Sequence, residues 1–225
     1  MTRHQKISLI LFAAASFLIV LRIYTLYFPM RLFDYIVPPG QDPANHVLII
    51  QNIMSGKWSL SYPPLFHGFI ALVSSLFNLD PLGVLRSVTP LLTILPSIGV
   101  YIFLSKTVSR FSAFIAFVIA LIASNYGLVA FGDGNYPNII AAGFLTPVIF
   151  AYMINAFRKK VKPNLLYMLL FLLLLILTHH LTTAIFLFVT VVYLIVLAIW
   201  NSFEPIVPRL RKVFIAFFCS SPFNC

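Results

Sequence analysis

The chain is predicted to be an all-α, polytopic transmembrane bundle, and three observations predict it. Hydrophobic residues make up 61% of its 225 residues and charged residues only 9%, far from the roughly half-apolar, quarter-charged composition of soluble domains. Apolar runs of about span length succeed one another, with a mean hydropathy of +1.00. The basic residues behind the net charge of +10 fall in short breaks between these runs. They occur at Arg3-His4-Gln5-Lys6, Lys106 to Arg110, Arg158 to Lys162 and Arg209 to Lys212. Such breaks mark cytoplasmic helix ends under the positive-inside rule, so the charge is read as topology and lipid contact, with no nucleic-acid partner.

The first apolar run, Ile7 to Phe28, is of span length and lacks a small-residue cleavage site, so it is read as a retained helix with a cytoplasmic N-terminus. From Pro29 to Pro64 the chain is polar and punctuated by Pro and Gly, predicting an outer loop. Within it Asp42-Pro43 precedes an apolar-periodic run from Ala44 to Met54. This predicts a short helix with Asp42 at the N-cap, Pro43 in the first position and Gly56 at the end.

Leu65 to Leu79 is short for a span and is entered through Pro63-Pro64, which predicts a re-entrant or interfacial helix. Its not crossing is also what keeps all the basic clusters on one side. About five spans are then expected between 84 and 200: Val84 to Ser105, Phe111 to Phe131, Ile139 to Phe157, Leu165 to Thr178 and Leu181 to Trp200. A single helix from Leu165 to Trp200 would run about 54 Å, nearly twice the hydrocarbon thickness, so a turn is expected at Thr178-His179-His180. Residues 1–225 are read as one membrane domain, with 213–225 the truncated start of a further span. Cys219 and Cys225, the only cysteines, give no disulfide framework or metal-thiolate site.

Among only five acidic residues, Asp42 and Asp133 lie in polar breaks that this threading places on one outer face. Ionisable groups at a membrane boundary are costly and tend to mark function. Two carboxylates brought together there could hold a divalent cation, Mg or Mn, or let one act as a base toward an acceptor nucleophile. Asp42 also suits a plain helix cap, and Asp133 in Gly132-Asp133-Gly134-Asn135-Tyr136-Pro137 a plain turn. His46 lies one helical turn after Asp42 and shares its face. His179 and His180 sit at the predicted hairpin tip, where neighbouring side chains diverge, so that at most one of the two need face inward. Asp34, Asp80 and Glu204 read as caps or solvated charges, and Trp58 and Tyr62 suit an interfacial aromatic belt.

The order Asp42-Pro43, then Tyr62-Pro63-Pro64-Leu65, then Gly132-Asp133-Gly134-Asn135 resembles the GT-C superfamily of polyprenyl-phosphate-dependent glycosyltransferases, and most closely the oligosaccharyltransferase catalytic subunit and its relatives. The resemblance implies that Asp42 is the catalytic, metal-contacting first-loop aspartate and Asp133 the first acid of a second motif. That family has an Asn and a glutamate where this chain has Gly134-Asn135, so a carboxylate ligand is missing. Substrate contacts are then expected from His46, Tyr62, Asn135, His179 and His180. The implied activity is transfer of a sugar from a polyprenyl-phosphate-linked donor to an acceptor at the extracytoplasmic face of a cell membrane. An ion-coupled transporter and a non-catalytic subunit or inactive fragment are the other readings of the same sequence.

Overall fold

In the computed structural model, the described residues are 3–32, 42–57, 62–123, 126–158 and 161–203. Expectations for Asp34, Trp58, Glu204, Cys219, Cys225, the clusters at 159–160 and 209–212 and the span beginning at Val213 lie outside them. The described residues are helical and include no strand. In order they form α1 (Arg3–Leu32), α2 (Pro43–Met54), α3 (Pro64–Phe77), α4 (Pro81–Leu92), α5 (Leu95–Thr107), α6 (Arg110–Ala123), α7 (Tyr126–Gly132), α8 (Tyr136–Asn138), a π-helical turn (Ile139–Leu145), α9 (Thr146–Arg158), α10 (Val161–Thr178) and α11 (His180–Phe203). Among the described residues, three stretches are long and apolar enough to cross a membrane: Leu9–Leu32, Pro81–Thr107 and Tyr136–Ala156. The helices Pro64–Phe77, Arg110–Ala123, Pro163–Thr178 and His180–Val196 are apolar but shorter.

The predicted outer loop begins later than expected, because α1 continues through Pro29 to Leu32. Pro29 falls in the last turn, where it gives up the bond its N–H would have made to the carbonyl four residues back, and the helix ends three residues later. The end of α1 is fastened to α4: Arg86 Nη2 donates to the Met30 carbonyl at 3.0 Å and Tyr27 Oη donates to the Ser87 carbonyl. Further along, Ala15, Leu18, Ile19 and Ile23 pack around Ile94, Phe117 and Leu121. These contacts set α1 antiparallel to α4 and α5.

The short helix α2 starts at Pro43 as predicted, but Asp42 corrects its capping role. Asp42 holds the N-cap position with helical backbone angles (φ −98°, ψ −6°) and makes no side-chain cap bond. Its carboxylate instead accepts from Asn45 Nδ2 at 3.2 Å. Asp80, by contrast, caps α4 through its Oδ2, which accepts the Gly83 N–H at 2.8 Å. The α4 and α5 helices form one interrupted rod: Pro90 and Pro96 remove backbone donors on either side of Thr93, whose hydroxyl satisfies the Pro90 carbonyl at 2.7 Å.

A sharp turn through Val108 and Ser109 reverses the chain, and Ser109 Oγ accepts the Ser112 N–H at 3.0 Å to start α6. The π-helical turn lies where α5 comes closest. A Cβ on Gly99 would stand 2.5 Å from the Gly143 carbonyl oxygen and 2.8 Å from Pro147 Cγ. Backbones this close need small residues, the usual device for packing helices in lipid. At one end of the bundle Ile50, Phe66, Ile70, Leu85, Tyr136 and Ile139 form a buried cluster that joins α2, α3, α4 and α8. The expected interruption between Leu165 and Trp200 falls at His179. The described residues from Ala184 to Phe203 belong to a second unit, whose helix exposes Phe188, Val191 and Ile195, as a lipid-facing surface does.

Replacing Gly99 with Val is expected to push α5 off the π-helical turn and to lower the melting temperature of the detergent-purified protein by several degrees or abolish folding, since overpacking costs about 1–3 kcal/mol or more. A variant as stable as the original in a thermal unfolding scan would contradict the close approach.

Candidate functional site

The site is assembled at the end of the bundle where α2, α3 and the turn from Gly132 to Asn135 meet. That turn needs a left-handed residue, which Gly134 supplies with φ +77°. Gly134 also has no room for a side chain. A Cβ there would lie 3.0 Å from Pro43 Cδ, 3.2 Å from the Asp42 nitrogen and 3.5 Å from Asp42 Cβ. The two acid-bearing segments, distant in sequence, are therefore in direct contact, and both carboxylates, Asp42 and Asp133, are exposed.

Beneath them, His46 is 3% exposed and His67 fully buried. His46 Nε2 lies 2.7 Å from the Gly134 carbonyl oxygen, which only accepts, so this nitrogen carries the proton and donates. In a neutral ring Nδ1 is then an acceptor, and it receives the His67 Nε2–H across 2.8 Å. On this tautomer His67 Nδ1 carries no proton and has no well-formed hydrogen bond, and the Pro63 carbonyl would accept from it only in a charged ring. Burial pushes the His67 pKa down to about 4, with the neighbouring His46 adding to the effect and the Pro63 carbonyl opposing it weakly. Burial likewise pushes His46 down, against the pull of the Gly134 carbonyl and Asp42. The pair is neutral at pH 7.

Aromatic rings enclose this pair. Tyr62 stands edge-on to His67 at 4.9 Å and to His46 at 6.3 Å between centroids, while Phe66 and Tyr136 lie 5.8 Å and 5.3 Å from His46. Burial, and then the charge of Asp42, pushes the Tyr62 hydroxyl up. Tyr62 also faces His179 at 6.5 Å, which brings the break before α11 to the edge of the site. His179 Nδ1 accepts the Thr182 N–H at 3.2 Å, and Thr182 Oγ1 donates to Asn138 Oδ1 at 2.7 Å. His180 is exposed, whereas His179 is half-buried. Asn135, half-buried, occupies the N-cap position of α8 without a side-chain cap bond.

Asp42, His46, Tyr62, Asp133, Asn135 and His179 are thus gathered at one end, with His180 next to His179 in sequence. Sequence reasoning missed His67 and Tyr136. His67 was the one histidine of the apolar runs left without a role, and it stands on the same stretch as Tyr62-Pro63-Pro64. No group of three or more His, Cys, Asp or Glu side chains that could hold a metal occurs among the described residues. Mg²⁺ usually takes one or two carboxylates from a protein and completes its octahedral shell with water and substrate phosphate, a number that Asp42 and Asp133 alone could supply.

A neutral buried pair makes stability depend on pH. Unfolded histidine takes up its proton near pH 6.5 and folded His67 only near 4, so between these values the unfolded chain binds more protons. Stability is therefore level above pH 6.5 and falls as the pH drops toward 4. The melting temperature should follow this course, and His67→Gln should show a shallower fall over the same window. Equal falls in both proteins would contradict the neutral pair.

Residues 61–222 match the family described as the 6-pyruvoyl-tetrahydropterin synthase related domain, a membrane protein. No curated protein and no solved structure matches the chain. The matching family is not the GT-C superfamily, and the family assignment drawn from motif order is corrected accordingly. The reason lies in what those motifs do locally: Asp42-Pro43 and Tyr62-Pro63-Pro64 open helices, and Gly132 to Asn135 forms a left-handed turn, all of which recur wherever such elements are needed. With the match extending over most of its length, the chain belongs to the 6-pyruvoyl-tetrahydropterin synthase related family of membrane proteins.

Proposed function

We propose that the protein is a membrane enzyme that transfers a sugar from a polyprenyl-phosphate-linked donor to an acceptor at the extracytoplasmic face. The observation that carries this reading is the contact of Gly134 with Asp42, which sets two exposed carboxylates over a buried, uncharged histidine pair. Arg3 and Lys6 begin α1, and Lys106 and Arg110 flank the turn between α5 and α6, at the end of the bundle away from Asp42. By the positive-inside rule that end is cytoplasmic and the site extracytoplasmic.

The α3 helix that carries His67 also borders an apolar groove of about 640 Å³, lined by Ile53, Met54, Leu65, Phe69, Leu72 and Leu177. Such a groove suits the hydrocarbon of a lipid-linked donor whose phosphate lies at the site. In the proposed step the Asp42 carboxylate takes the proton of the acceptor hydroxyl as its oxygen bonds to the anomeric carbon. The bond from that carbon to the phosphate oxygen breaks, and the polyprenyl phosphate leaves with the electron pair. His46 is a positioning residue, since it holds the Gly134 carbonyl and with it Asp133. The reading assigns no step to a metal ion.

The test uses the full chain in proteoliposomes with radiolabelled polyprenyl-phosphate hexoses, scoring release of polyprenyl phosphate. Asp42→Asn is expected to lower turnover by about 10²-fold or more, and Asp133→Asn to lower it less. Undiminished turnover in Asp42→Asn, or no turnover of any such donor by the folded protein, would overturn the proposal.

A further inference from the structure

At the opposite end of the bundle lies a second cavity, of about 790 Å³, and it differs in character from the apolar grooves. Its wall carries Lys106, Arg110, Tyr101, Ser105, Asn155 and Asn164, contributed by α5, α6, α9 and α10. The Lys106 ammonium is held 4.6 Å above the centre of the Tyr152 ring, a cation–π contact that fixes its charge at the cavity wall. Asn155 is 8% exposed and anchored through Nδ2 to the Ala151 carbonyl at 2.8 Å.

Nothing among the described residues neutralises this charge. The described carboxylates are Asp42, Asp80 and Asp133, and all three lie at the other end: Asp80 caps the start of α4, while Asp42 and the turn bearing Asp133 are in contact there. The cavity is also at a definite depth. About 28 Å of helix, at roughly 1.5 Å per residue, separates Tyr136 at the first site from Asn155 here, close to the hydrocarbon thickness of about 30 Å. It therefore opens at the headgroup level of the opposite membrane face. Leu165, Leu166 and Leu169 are exposed on α10 next to it, along the path acyl chains would take.

We propose that this cavity binds the phosphate of an anionic membrane lipid, with Lys106 and Arg110 supplying the charge and the Tyr101 hydroxyl and Asn164 amide the neutral hydrogen bonds. A phosphate offers several oxygens to such donors, and cationic partners roughly double the strength of each bond. The occupant is a lipid headgroup and not a free anion, because the cavity sits where headgroups are and is flanked by lipid-facing leucines. This site is independent of the proposed transfer reaction.

Native mass spectrometry of the full chain, released from neutral detergent and titrated with phosphatidylglycerol or phosphatidylcholine, tests it. Phosphatidylglycerol is expected to bind preferentially, and Lys106→Gln with Arg110→Gln to reduce that binding by at least about tenfold. The charge-preserving pair Lys106→Arg with Arg110→Lys should keep the preference, as should Lys57→Gln. Millimolar inorganic phosphate should leave the bound lipid in place. Equal binding of the two lipids, binding unaffected by the double glutamine variant, or displacement of the lipid by free phosphate would overturn the proposal.

Discussion

The arrangement depends on one buried side chain making two hydrogen bonds in opposite directions. His46 gives its Nε2 proton to the Gly134 carbonyl and takes one from His67 on Nδ1, so α2, α3 and the turn after α7 are joined through a single imidazole. In a buried setting each of these bonds is costly to leave unmade, by about 1–3 kcal/mol for the group left unpaired. The surrounding rings of Tyr62, Phe66 and Tyr136 exclude water from them. Removing the imidazole would leave α2 held chiefly by the apolar cluster around Ile50 and would loosen the alignment of Asp42 beside Asp133.

That joint also constrains how the chain threads the membrane. Asp42 and Gly134 are in contact, so the number of complete crossings between them is even. On the topology proposed above, the α4–α5 rod descends from this end, α6 and α7 together return from the turn at Ser109, and α3, tied at its start to His46, is a partial entry. Lys106 and Arg110 then stand about one membrane thickness away, at the wall of the second cavity.

Much of the helical architecture was legible because hydropathy and proline placement act locally. Pro43 and Pro64 at helix starts, Asp80 as a cap, the short apolar run of α3 and the break at His179 all follow from the side chains of the residues concerned. The site was legible only in outline. Asp42, Asp133 and His46 stand out because polar residues are rare in such a chain, but a lone histidine in an apolar helix gives no sign of its partner. His67 is recognisable only once α2 is laid across α3. Motif order misled for a related reason: helix starts and glycine turns are shared by unrelated membrane proteins, and the family that matches over residues 61–222 is a different one. The π-helical turn against Gly99 was invisible too, since it follows from the approach of two helices and not from either sequence alone.

The most direct test of this account is sidedness. Single cysteines at positions 42, 133 and 106, in a protein lacking Cys219 and Cys225, are labelled in intact and permeabilised cells with a membrane-impermeant thiol reagent. Positions 42 and 133 should label together in intact cells, and 106 only after permeabilisation. Labelling of 42 and 133 from opposite sides would mean that α3 crosses the membrane, and the joint through His46 could not exist.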